Sequence, residues 1–382
     1  MITFTIPRTH WSLIDYIKGN NYTNSIEFMQ PKIIYKRNIY VNNLKEQLRN
    51  FNDWDIFNRI YFPYEFLGEV YNVYTNNKHS DDTNIFSLRY AVHIEIIRFL
   101  RSSSLNNKNK INQPLPIKTL SFSQNDDFNL NRMLYIQNKN PNNVYINVKY
   151  STNISISENL SSVDHITIGT HSTNENENEY GRVSYICVLK ALCLQKKGGN
   201  LILKLFNIDS RLSISIITLL TSMYKDVFIV KPETSYGYLP EVFIVCKSFL
   251  PENSNSFYIA ILDIVDNMPD IDDSYEIFTK DVVNLVVLNK INEVAVFFYQ
   301  RQLDITHTIV NTTLSQSIIH SSPSNGVSGN KGKIHTIIKN NVEKCVLWIC
   351  QYNYSSKFYN QSEINALMDI ITINILPNNL LL

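Results

Sequence analysis

No excess of charge of either sign marks this chain: 35 Lys and Arg stand against 34 Asp and Glu, a formal net charge of +1 over 382 residues. That balance excludes a global field drawing the protein to nucleic acid, so any such contact has to come from a local patch. Cysteine is sparse too. The five, Cys187, Cys193, Cys246, Cys345 and Cys350, are odd in number and show no Cys-x-x-Cys pairing, which argues against a disulfide framework or a zinc site and for reduced thiols. No stretch approaches the ~20 apolar residues that a membrane span needs. The start, Met1-Ile2-Thr3-Phe4-Thr5-Ile6-Pro7-Arg8, lacks the basic-then-apolar arrangement of a secretion signal. The expectation is a soluble chain, without membrane contact, in a reducing cytoplasmic compartment. Internal repeats are absent, and the abundant asparagine is a compositional bias that makes each Asn a poor clue. The length suffices for a full core: one large domain with extensions, or two domains.

What is present is an alternation of strand and helix signals in the middle of the chain. Residues 118–123 and 143–149 read as strands flanking a helix at 130–137, a βαβ unit of a doubly wound sheet. Residues 165–169 form a further strand, then an acidic, Asn-rich loop at 173–180 and a helix at 183–195, with Gly198-Gly199 as its C-cap. Strand 201–206, helix 212–224 and strands 227–230 and 242–246 follow, the last two as an antiparallel hairpin at the sheet's edge. Ahead of all this, residues 86–100 make a buried helix through Leu88, Ala91, Val92, Ile94, Ile96, Ile97 and Phe99. Residues 42–59 are a further helical candidate, and 76–82 a polar loop. Beyond Pro251 the pattern is helical, at 256–265, 274–290 and 292–315. A flexible loop is expected at 321–333, and a helix or strand at 335–349. The boundaries implied are an N-terminal extension at 1–85, a central domain at 86–250 and a C-terminal helical extension at 251–382.

The chemistry lies at two strand mouths. Lys204 ends one buried strand, after Lys196-Lys197-Gly198-Gly199-Asn200-Leu201-Ile202-Leu203. Glu241 opens another, Val242-Phe243-Ile244-Val245-Cys246-Lys247, after Lys231-Pro232-Glu233-Thr234-Ser235. An amine and a carboxylate so placed can meet over one substrate. They also have plain readings: a lysine at a strand end is usually a solvated charge, and Glu241 can pair with either Lys204 or Lys231.

These motifs resemble the FtsJ-like RNA 2′-O-methyltransferases, over roughly residues 86–250. The resemblance implies a Rossmann-like α/β fold with strand order 3-2-1-4-5-7-6, S-adenosylmethionine as cofactor, and a Lys-Asp-Lys-Glu tetrad that positions and deprotonates a ribose 2′-hydroxyl. Lys204 matches the second lysine and Glu241 the glutamate; as the resemblance has it, Lys204 is general base and Glu241 its orienting partner. In cap-directed members the first lysine ends Asn-Arg-Ala-Ala-x-Lys, and here Leu88-Arg89-Tyr90-Ala91-Val92-His93 puts His93 in its place. The plain reading of His93, on an apolar helix, is a satisfied core histidine.

Other parts of the pattern are eroded. The aspartate closes Ile-Thr-Ala-Asp-Gly-Gly in the family, against Ile166-Thr167-Ile168-Gly169-Thr170-His171 here, with no carboxylate. The cofactor loop Glu-x-Pro-Gly-Gly-Phe becomes Ser123-Gln124-Asn125-Asp126-Asp127-Phe128, so Asn125, Asp126, Asp127 and Phe128 stand where the cofactor binds, without the glycines that let backbone approach it. The two aspartates would face the cofactor's own carboxylate, and like charges roughly 4 Å apart repel by about 1 kcal/mol in water. Asp126 and Asp127 also suit the N-terminus of the helix at 130–137. The family's Ser-Arg becomes Ser235-Tyr236. The expectation is a cap-type methyltransferase fold with eroded or lost catalysis, or else a non-catalytic RNA-binding or structural subunit. RNA, and proteins of an RNA-processing or virion assembly, are the partners implied. The flanks, with Phe62-Pro63-Tyr64-Glu65 ahead and helices behind, are similar to members carried by large cytoplasmic DNA viruses, which suggests a viral factory or virion as the setting.

Overall fold

Leu201-Ile202-Leu203 and Val242-Phe243-Ile244-Val245 are apolar at every position, the signature of strands covered on both faces, and every one of these side chains is buried. They belong to β5 (Gln195–Leu205) and β7 (Val242–Phe249) at the centre of a seven-stranded sheet. The computed structural model describes residues 1–9, 60–74, 88–102, 116–123, 140–149, 161–169, 177–206, 208–237, 239–251, 259, 261, 285–320, 327–352, 362 and 365. The helices expected at 42–59 and 130–137, the polar loop at 76–82, and most of 256–265 lie outside them.

The other strands are β1 (Ile2–Ile6), β2 (Lys118–Ser123), β3 (Val144–Val148), β4 (Val163–Gly169) and β6 (Tyr224–Lys231). Their order is β1-β6-β7-β5-β4-β2-β3. β3, β2, β4 and β5 run parallel, and β7 is antiparallel to both β5 and β6. With β1 set aside, this is the expected 3-2-1-4-5-7-6 order without its strand 3 among the described residues. The expected antiparallel hairpin is present as β6 and β7, with β7 between β5 and β6; its place at the sheet's edge is corrected, because β1 pairs with β6 on the outer side. Ile2-Thr3-Phe4-Thr5-Ile6 alternates with period two and is rich in β-branched and aromatic residues, and it pairs antiparallel with β6, Ile2 opposite Lys231.

Helices α1 (Leu67–Tyr74), α2 (Leu88–Ser102), α3 (Glu177–Leu194), α4 (Arg211–Met223), α5 (Leu285–His320) and α6 (Val327–Gln351) complete the described elements. α3 packs on β4 and β5, α4 on β6 and β7, and the two helices touch. Ser210 caps α4, its Oγ accepting from the Ser213 N–H at 3.1 Å. α2 is tied to β7, where the Lys247 ammonium donates to the Phe99 carbonyl at 2.8 Å and lies 4.0 Å from the Phe99 ring centroid.

The Gly-Gly pair does not cap α3. That helix ends at Leu194, and the chain enters β5 at once. The glycines sit inside β5 where the register with β4 slips from Val163 opposite Gln195 to His165 opposite Asn200, so residues 196–199 face Asp164 alone. Gly198 adopts φ +81°, and a Cβ on Gly199 would lie 2.8 Å from the Asp164 carbonyl oxygen and collide with the Gln195 amide. That amide is fully buried, donates to the Val163 carbonyl at 2.9 Å and accepts from the Tyr224 hydroxyl at 3.2 Å.

The chain divides into two compact units: Met1–Lys32 with His93–Pro232 and Pro240–Phe298, and Ile33–Val92 with Glu233–Leu239 and Tyr299–Leu382. In the second, α6 packs on α1, the Asn341 amide donates to the Ile60 carbonyl at 2.7 Å, and Ile338, Val342, Cys345 and Ile349 are buried. Two sequence expectations are revised in these helices. Residues 285–315 form one helix through buried Ile291 rather than two. Residues 327–333, read as loop, are the first turns of α6. Gly329 and Gly332 cost about 1 kcal/mol each in a helix, but they lie on the same rod whose later turns are packed. All five cysteines are free, and burial pushes the Cys187 and Cys193 thiols up to about 12. Among the described residues no helix is long and apolar enough to cross a membrane.

Candidate functional site

Parallel β2, β4 and β5 all end on one edge of the sheet, and antiparallel β7 starts there. Lys204, one residue from the end of β5, is registered opposite Phe243 of β7. Glu241 precedes Phe243 by two residues, so it is the diagonal neighbour of Lys204, a pairing that long side chains can span. They do: Lys204 Nζ lies 2.7 Å from Glu241 Oε2, with 18% and 11% of the two side chains exposed. The ammonium also lies 4.8 Å from the Phe206 ring centroid and 6.0 Å from that of Phe243. Lys231, buried at the end of β6, donates from Nζ to the backbone carbonyl of Glu241 at 2.7 Å. The sequence left open which lysine pairs with Glu241. Lys204 meets the carboxylate, and Lys231 donates to the main-chain carbonyl.

On the other side of Lys204 stands β4. Ile168 is opposite Leu203, so the register continues with Gly169 beside Lys204. Gly169, which the sequence resemblance sets against the tetrad's aspartate, has no side chain to contribute beside the lysine. His93 is on α2 and only 4% exposed, a ring set within the protein. Asn125, Asp126, Asp127 and Phe128 lie outside the described residues; the strand ahead of them, β2, ends at buried Ser123. Within the second unit, Tyr236, set against an arginine by the sequence resemblance, donates its hydroxyl to Glu65 at 3.0 Å and packs on the Phe62 ring at 4.3 Å. Its polar end is thus directed at a carboxylate of its own unit. Among the described residues no cluster of His, Cys, Asp and Glu is large enough to hold a metal.

No known family profile matches the chain. Parts of it are nevertheless similar to two curated proteins. Over 72 residues, 19% of the chain, it is 38% identical to the cap-specific mRNA (nucleoside-2′-O-)-methyltransferase 1 of Caenorhabditis elegans. The fold is the Rossmann-like α/β fold of methyltransferases. Over 106 residues, 26% of the chain, it is 31% identical to a Caenorhabditis briggsae protein named inactive cap-specific mRNA (nucleoside-2′-O-)-methyltransferase 1B. The matched spans cover 8% and 12% of those relatives' lengths. The chain is thus distantly related, in part, to RNA methyltransferases.

This methyltransferase-like sheet explains why two residues so far apart in sequence converge. Reversal of β7 carries its first residues back to the edge at which β5 ends. A carboxylate just ahead of β7 and a lysine just before the end of β5 then share one face. Chemically, such a pair can orient a hydroxyl-bearing substrate at the rim of the sheet.

Proposed function

We propose that this protein is a cap-type RNA 2′-O-methyltransferase fold in which methyl transfer is lost or very weak, and that it acts by binding RNA within a larger RNA-processing or virion assembly. The observation that carries the reading is the Lys204–Glu241 pair, closed at 2.7 Å at the sheet edge with Gly169 where an aspartate would complete the site. In an active site the lysine needs a second anion to hold it toward the substrate. Here the one strand that could carry it beside Lys204 supplies a glycine. Loss of such a group lowers rates by orders of magnitude, roughly 10²–10³-fold for a single well-placed partner.

The cofactor loop supports the same reading. S-adenosylmethionine presents a carboxylate to its loop, and Asn125, Asp126, Asp127 and Phe128 offer two acidic side chains and no glycine. The donor set does not suit the group. Any residual transfer would have Lys204 as general base, Glu241 as its orienting partner and His93 in place of the first lysine. That one relative bears the word inactive in its name accords with this direction.

The test is calorimetric titration with S-adenosylmethionine, run beside a methyl-transfer assay on capped RNA and an anisotropy titration of the same RNA. The expected result is no cofactor binding at millimolar ligand, no transfer, and retained RNA binding. Micromolar cofactor binding with transfer that Lys204→Ala abolishes would overturn the proposal.

A further inference from the structure

The β6–β7 ladder ends with Val230 opposite Phe243, and beyond it β6 closes on Lys231 and runs into Pro232, while Pro240-Glu241 leads into β7. Proline has no N–H, so the residue that follows β6 has no ladder bond to give. The Glu241 carbonyl is nonetheless satisfied, by the Lys231 ammonium at 2.7 Å. Glu241 is only 8% exposed, as is Lys231, so an unmade bond there would cost the full desolvation of the carbonyl. The β6 chain thus replaces a backbone donor with a charged side chain at the residue whose carboxylate meets Lys204.

We propose that Lys231 is a positioning residue: by holding the main chain of Glu241 it sets the direction of that carboxylate and so the geometry of the Lys204–Glu241 pair. The assignment rests on taking that pair as the remnant of the methyl-transfer site. The reason a side chain is needed is local. Pro240 precedes Glu241 and Pro232 follows Lys231, and neither proline has a backbone donor to offer. An ammonium suits the task better than a neutral donor, because charge-assisted bonds are shorter and stronger. Lysine's four-carbon stem also lets the donor reach past the proline.

Two measurements test this, and neither uses cofactor or RNA, so the proposal and the functional reading fail separately. The first is the coupling between Lys204→Met and Glu241→Gln in a double-mutant cycle, determined in wild-type, Lys231→Met and Lys231→Arg backgrounds. The expected result is a coupling reduced by about half in Lys231→Met and recovered in Lys231→Arg, because arginine restores the donor while methionine restores only the packing. Unchanged coupling in Lys231→Met would mean a packing residue and overturns the assignment. The second measurement needs only the native protein, in case Lys231→Met does not fold. A Lys231 ammonium resonance with slowed proton exchange and a through-bond coupling to the Glu241 carbonyl carbon is the result expected. A freely exchanging ammonium without that coupling overturns it.

Discussion

The Lys204–Glu241 pair makes a quantitative prediction because its surroundings lie between two well-characterised limits. An exposed ion pair contributes about 0–1 kcal/mol, whereas removing one partner of a fully buried pair costs about 3–5 kcal/mol. With 18% and 11% of the side chains exposed, the pair is close to the buried limit but reached by solvent at its rim. Glu241→Gln should cost about 2 kcal/mol, mostly from leaving the Lys204 ammonium shielded opposite a neutral amide. Lys204→Met should cost less, since methionine keeps the contacts with the Phe206 and Phe243 rings, and the double variant should fall short of the sum by about 1–2 kcal/mol. An internal control exists on α5. Lys290 and Glu293 are also paired, at 2.8 Å, but with 30% and 61% of their side chains exposed, and an i,i+3 pair on a helix surface is worth about 0.2–0.5 kcal/mol. Urea denaturation of both cycles, at low and high salt, gives the comparison. The control coupling should fade with salt, while that of Lys204 and Glu241 should persist, because salt screens exposed charges and scarcely reaches shielded ones. A coupling for Lys204 and Glu241 no larger than that of the control, or equally sensitive to salt, would refute the argument from burial.

Two further outcomes follow from the sheet. Gly198→Ala meets open space but must adopt φ +81°, which costs about 1 kcal/mol, whereas Gly199→Ala drives a methyl group into the Asp164 carbonyl and the Gln195 amide, about 2–4 kcal/mol from overpacking and broken hydrogen bonds. Chemical denaturation should rank Gly199→Ala as the more damaging, and the reverse order would show that the register slip at Asp164 is wrongly described. Lys247 is held below the usual lysine range, chiefly by burial, with Asp226 opposing. Since the unfolded chain then binds the proton more tightly than the native protein, charging Lys247 costs the fold, and the stability of the wild type relative to Lys247→Met should rise as pH climbs from the lowered value toward the ordinary lysine range. A difference that stays flat or falls across that alkaline range, measured by urea midpoints, would contradict the assignment.

Much of the central sheet was legible because its strands are covered on both faces. Residues 118–123 read correctly to the residue, and β5, β6 and β7 were found from their apolar runs even where their ends were set short. β1 was missed although Ile2-Thr3-Phe4-Thr5-Ile6 alternates: five residues of alternation are weak local evidence, and the ladder that stabilises them is with β6, far along the chain. Gly198 and Gly199 were misread for a related reason. Two glycines after a helix satisfy the local rule for a cap, but one answers to a left-handed backbone and the other to the approach of the Asp164 carbonyl, and both demands come from β4. At 327–333 a loop-like composition was outweighed by helix continuity into the packed turns of α6.

The candidate site divides along the same line. Residue order alone determined that a lysine would close one buried strand and a glutamate precede another, and it carried the resemblance that sets Gly169, Asp126 and Asp127 against an aspartate and two glycines. These are statements about which groups exist. Only the folded sheet decided which groups meet: the antiparallel insertion of β7 beside β5 sets Glu241 diagonal to Lys204, and the end of β6 brings the Lys231 ammonium to the Glu241 carbonyl. Such contacts depend on register between distant strands, and register is set by the packing of the whole sheet, which no local stretch of sequence contains.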